Sequence, residues 1–196
     1  MTHRWGERRW YSPLLARLRR LLRTPERSTV ERLPNLPARL RRGDLAASYL
    51  AAERDGEHRR AAAAAVSAAE HAIVERSWWA ADAWAHRALW HFERAEMSLQ
   101  ATRAARRIGD LRTMAGDPAS ARRYYAEAIS EARDIGAERE EGLAALGLGR
   151  AELEQGNVTT SRRLAQIAVD LLERCGAPEE EVAAARTLRG EEKEVG

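Results

Sequence analysis

Imidazole, indole and guanidinium groups are the side chains in this sequence whose types and spacing can do chemistry. The stretch from Ser77 to Phe92 holds Trp78, Trp79, Trp84 and Trp90 together with His86 and His91. His86 and His91 are five positions apart, about 140° around a helix, so they do not share a face as an i,i+4 metal-ligating pair does. His71 falls on the preceding helix, and no metal site is expected. On a helical wheel Ala81, Ala85, Ala88, Leu89 and Phe92 form an inward face, with Trp79 and Trp90 on one flank and Trp84 on the other. Two readings stand side by side. The rings fill space that an Ala-rich neighbour such as 61–72 leaves empty, or Trp79, Trp84 and Trp90 make a partly exposed aromatic patch of the kind found at binding hot spots.

Other reactive constellations are missing from the sequence. Cys175 is the only cysteine, which excludes an intramolecular disulfide and suggests no oxidising compartment. It precedes a helix-ending glycine, with only Arg174 at hand to lower its pKa. Gly147 and Gly149 lack the strand-to-helix context of a phosphate loop. The paired acids Glu140-Glu141 and Glu179 to Glu181 stand near helix starts, where they complement the helix dipole. The sequence therefore reads as non-enzymatic, with no cofactor, no metal and no small-molecule substrate expected.

Composition constrains the elements that carry these residues. Ala makes up about a fifth of the 196 residues and Phe occurs once, which excludes a β-sandwich or barrel and leaves an all-α protein of thin, closely packed helices. Charge is divided by position. Residues 1–42 hold 12 Arg against Glu7, Glu26 and Glu31, a net +9, so the overall +3 leaves −6 on the remainder. Four of the six prolines also fall before residue 38. The chain accordingly divides into a basic, Pro-punctuated segment, 1–42, and a helical body, 43–196.

Within the basic segment an amphipathic helix is expected over 13–23. Ser12 caps it, Pro13 suits its first turn, and Leu14, Leu15, Leu18, Leu21 and Leu22 fall on one side. Arg17, Arg19, Arg20 and Arg23 occupy the rest. Such a helix either docks its leucines on the body or serves as a basic arm for an anionic membrane, a nucleic acid or an acidic protein. No signal peptide and no apolar run of membrane-spanning length is visible, so a cytoplasmic location is expected.

The body repeats with a period of 40 residues: Gly109 recurs as Gly149, Gly116 as Gly156, Arg122-Arg123 as Arg162-Arg163, Ala128 as Ala168, and Gly136-Ala137 as Gly176-Ala177. Fixed-period similarity of this kind marks stacked supersecondary units. Gly116-Asp117-Pro118 ends one helix and starts another, and Gly136 and Gly176 close the second helix of each pair. A fainter copy lies 40 residues earlier, with Arg76-Ser77 in the Gly-Asp position. The expected helices are 44–54, 58–75, 78–95, 97–115, 118–135, 138–155, 158–174 and a capping helix at about 179–190. The clearest repeats are 97–136 and 137–177.

These residues resemble the tetratricopeptide repeat (TPR) family in its longer, roughly 40-residue bacterial form. The pattern is carried by Ile108-Gly109, Gly116-Asp117, Ala121, Tyr125, Ala128 and Ile129, and again by Leu148-Gly149, Gly156-Asn157, Ser161, Ala165, Ala168 and Val169. Arg112 and Glu152 depart from it by replacing the first-helix aromatic, and Ala105 and Ala145 replace its Trp. The resemblance implies a short right-handed α-solenoid of antiparallel helix pairs, with a concave groove lined by the first helix of each pair. It also implies an adaptor or scaffold that receives another protein or peptide segment there, a second copy of the chain being one candidate partner. By position, the groove would present Glu70, Arg103, Arg106, Asp110, Thr113, Arg150 and Glu154, with the arginines able to clamp carboxylates.

Overall fold

The computed structural model describes residues 44–190, and every regular element among them is an α-helix: α1 (Asp44–Arg54), α2 (His58–Val74), α3 (Trp78–Arg94), α4 (Ser98–Met114), α5 (Pro118–Asp134), α6 (Glu138–Glu154), α7 (Val158–Arg174) and α8 (Glu179–Arg189). Each agrees with the sequence expectation to within one residue at either end. The basic segment 1–42, with the helix expected at 13–23 and Arg17, Arg19, Arg20 and Arg23, lies outside the described residues.

Helices α2 to α7 are each 17 residues long, and the seven turns that join α1 through α8 share one construction. In each turn the third residue donates its N–H to the carbonyl five residues back, at 2.8–2.9 Å, as in Ser77 to Ala72, Asp117 to Arg112 and Ala177 to Leu172. This is the Schellman arrangement, and it needs a left-handed residue just before the donor. Gly56, Gly116, Gly136, Gly156 and Gly176 supply it in five turns, whereas Arg76 (φ 55°) and Glu96 (φ 57°) supply it in the other two. Asp117 caps α5 by accepting the Ser120 N–H at 3.1 Å, with Pro118 in the first turn. Those Ser120 hydrogen bonds hold the Asp117 carboxyl below its usual range.

Each helix packs on its neighbours in sequence, and α4 also touches α6, as α6 touches α8. The first helices α4, α6 and α8 therefore stand side by side. Alanine dominates the buried positions, which lets helix axes approach closely. The tightest point is Tyr125 of α5. Its ring lies against Gly109 of α4 and Gly147 of α6; a Cβ at Gly109 would stand 2.8 Å from the Tyr125 Cε1, and one at Gly147 would overlap the same ring. At the C-terminal end, Val182 and Ala185 of α8 are buried against Leu146, Val169 and Leu172. No helix among the described residues is long and apolar enough to cross a membrane.

Candidate functional site

The groove positions divide into a bonded set and a free set. On α4, the Arg103 Nε donates to Glu140 Oε1 of α6 at 2.7 Å, and the Arg106 Nη1 donates to Asp110 Oδ2 at 3.0 Å. The Tyr125 hydroxyl donates to the other oxygen of Asp110 at 2.9 Å, and the Thr113 hydroxyl donates to the Gly109 carbonyl at 3.1 Å. Burial, reinforced by the Asp110 charge, pushes the Tyr125 hydroxyl pKa up, so the group stays a neutral donor. The Arg106 Nε also stands 3.6 Å from Glu140 Oε2 and the Thr113 hydroxyl 3.4 Å from that of Tyr125, so Arg103, Arg106, Asp110 and Thr113 tie α4 to α5 and α6.

Glu70, Arg150 and Glu154 are exposed and make no side-chain hydrogen bond or ion pair among the described residues. The last turns of the same helices add something the sequence reading did not select. Val74 ends α2 at 82% exposure, Met114 ends α4 at 55%, and Leu153 lies in the last turn of α6 at 45%. Val74 and Met114 are 40 residues apart and Leu153 follows 39 later. Val74 and Met114 hold the last position of α2 and α4, which Glu154 holds in α6, and Leu153 stands one residue earlier, about 100° around that helix.

Two further ion pairs hold second helices to the first helix that follows. Arg112 of α4 grips Asp82 of α3 with two parallel bonds of 2.8 and 2.7 Å. One repeat later Arg122 of α5 meets Glu152 of α6 at 2.7 Å. Positions 82 and 122 are equivalent, as are 112 and 152, so the same contact is built twice with its signs reversed. Glu152 is buried and also accepts from Asn157 Nδ2 at 2.7 Å. The departures of Arg112 and Glu152 from the aromatic pattern are therefore partnered.

The tryptophans do not form one surface. Trp84 is 2% exposed and stacks edge-on with Tyr49 of α1, 5.1 Å between centroids, which corrects its place in the expected aromatic patch. An Ala-rich neighbour leaves room that this ring fills. Trp90 is partly buried against His58 and His91, and Trp79 alone of the three is half exposed, at 52%. Around them runs a hydrogen-bond chain that sequence reading missed. The Tyr49 hydroxyl donates to Glu53 Oε1 at 2.8 Å and lies 3.2 Å from His91 Nε2, while His91 Nδ1 lies 3.0 Å from His58 Nδ1. With its one proton on Glu53, the Tyr49 oxygen accepts from His91 Nε2–H, and His91 Nδ1 then accepts from His58. Burial, then the neighbouring His58 and Arg87, lowers the His91 pKa to about 4. His86, in turn, bonds the Asp82 carbonyl at 2.8 Å and the Tyr124 hydroxyl at 2.9 Å. His86 and His91 are thus hydrogen-bonded to different partners on different helices.

The ladder of 17-residue helices, the Schellman turns and the face of first helices can be set against known proteins. No protein-family model matches the chain, and no curated protein matches it. Among solved structures it is similar to the apo form of RapI, with a TM-score of 0.61 at 14% sequence identity, over 76% of this chain and 58% of RapI. The fold is that of a TPR-like helical repeat. The TPR-like chain spans less than two thirds of RapI's length, and at that identity the likeness bears on architecture.

Proposed function

We propose that this TPR-like chain is a non-enzymatic protein-interaction module, an adaptor or scaffold that receives a peptide or helix of another protein across its first helices. The observation that carries this reading is the exposure of large apolar side chains in the last turns of α2, α4 and α6, Val74, Met114 and Leu153, on helices that also carry the unpaired charges of Glu70, Arg150 and Glu154. Apolar groups held in water on a rigid face, beside charges with no internal partner, favour a partner that buries the former and pairs the latter. The helices are already packed, so little ordering cost falls on this side of the complex. Arg103 and Arg106 act here by fixing the spacing of α4 and α6.

The test is affinity capture from nuclease-treated host lysate with the full chain and with an Arg150→Glu/Leu153→Asp variant. Both substituted residues are exposed, so helicity and melting temperature should match the parent. The reading expects a stoichiometric protein on the parent that is depleted at least about tenfold on the variant, the scale of one lost charged contact and one buried apolar side chain. Equal recovery on both would overturn it.

A further inference from the structure

The polar chain of Glu53, Tyr49, His91 and His58 lies where α1, α2 and α3 meet. α1 has 11 residues where α2 to α7 have 17. Its buried side chains are Ala46, Tyr49 and Ala52, so Tyr49 is its one large buried anchor. Among the described residues α1 packs along α2 and reaches α3 through the Tyr49 ring on Trp84. The hydroxyl of that same ring contacts His91, whose side chain is fully buried.

The groups facing His91 are Tyr49 and Glu53 of α1, His58 of α2 and Arg87 of α3 itself. Burial and Glu53 push the Tyr49 hydroxyl pKa up, so it stays neutral, and the Arg87 guanidinium offsets the Glu53 carboxylate. With one proton on Nε2, His91 takes a second only at Nδ1, the nitrogen that accepts from His58. Two N–H groups then oppose each other at 3.0 Å. His58 can yield by holding its own proton on Nε2. A buried imidazolium then remains, 3.9 Å from a carboxylate that Arg87 already matches. Parting α1 from α3 gives that charge water.

We propose that α1 is a cap released by acid: a proton on His91 undocks α1 from α2 and α3, while α4 to α8 keep their packing. α1 is the element that leaves because its hold on α3 runs through one ring whose hydroxyl belongs to the titrating chain. α3 stays packed on α2 and α4. Release bares the Trp84 ring, whose buried Nε1–H has no partner among the described residues while α1 is docked. The acid form therefore presents an aromatic surface that the neutral form hides. None of this depends on what the first helices bind.

The test is hydrogen exchange of the full chain at about pH 7 and about pH 5, with the intrinsic rate of each amide divided out. Burial, then His58 and Arg87, holds the docked imidazole at a pKa of about 4, against 6.5 once it is released. The opening of α1 should therefore become about twentyfold more frequent at the lower pH, and that of α5 to α7 should change by less than about twofold. His91→Phe and His91→Gln fill the site without titrating and should bring the change in α1 below about twofold. His71→Gln, on an exposed position of α2, should leave the parent behaviour intact. Where a His91 substitution already frees α1 at neutral pH, its exchange should stand at the parent's acid level with no further rise. Three results would overturn the proposal: α1 exchange in the parent that ignores pH, an equal rise through α5 to α7, or a pH dependence that survives both His91 substitutions.

Discussion

The two halves of the solenoid solve the same packing problem by opposite means. Between α1, α2 and α3 the partner helix is a run of alanines, and large rings fill the gap: Trp84 against Tyr49, with His91 and His58 bonded beneath them. Between α4, α5 and α6 the side chains are removed instead, and Gly109 and Gly147 admit a single ring, Tyr125. The first solution is polar and titratable at its centre. The second is steric and pinned by one hydroxyl on Asp110. A repeat fold therefore needs conserved spacing between helices, while the chemistry that fills the spacing can change from one unit to the next.

That contrast breaks most severely at Tyr125. Tyr125→Ala should cost about 4 kcal/mol, because it opens a cavity between three helices that two glycines cannot close. Chemical denaturation with far-UV circular dichroism measures it, and a cost below about 1 kcal/mol would mean that the α4–α6 contact does not depend on this ring.

Acidification should act on the other half. His91 has its pKa lowered to about 4 from 6.5, so as pH falls below 6.5 the unfolded chain takes up this proton before the folded one does. Stability contributed by the neutral imidazole is full above that value and is lost progressively down to about pH 4, reaching about 3 kcal/mol. His91→Phe should flatten the difference in stability between pH 7 and pH 4 by that amount. Hydrogen exchange should show the acid-sensitive opening in α1 to α3, with α5 to α7 unaffected.

A smaller effect sharpens the comparison at the seam between the halves. Asp82→Arg leaves two guanidinium groups facing each other and should cost about 1 kcal/mol, the scale of a half-exposed pair. Adding Arg112→Asp reverses the pair to the polarity already present at Arg122–Glu152 and should restore most of the loss. Failure of the double variant to recover would mean that the two contacts are not equivalent.

The helical ladder was legible because its punctuation is local. Gly116-Asp117-Pro118, Gly136, Gly156 and Gly176 mark turns whose backbone requires them. The turns at Arg76 and Glu96 were legible only by register, since a charged side chain carries no signal of a left-handed backbone. Within the site, Arg103 and Arg106 were placed on the correct helix, but a helical wheel does not show that Glu140, 37 residues from Arg103, pairs with both. The His58–His91 bond, spanning 33 residues, was invisible for the same reason. One signal was available and unused. Opposite charges recur at a separation of 30 residues, Asp82 with Arg112 and Arg122 with Glu152, in a chain whose repeat brings those positions together.

The proposed binding surface is the face formed by the first helices. Hydrogen–deuterium exchange of the full chain, alone and saturated with the protein recovered by affinity capture, addresses it most directly. Slowed exchange concentrated in the last turns of α2, α4 and α6, around Val74, Met114 and Leu153, is the predicted result. Protection confined to α3, α5 and α7, with those turns unchanged, would contradict it.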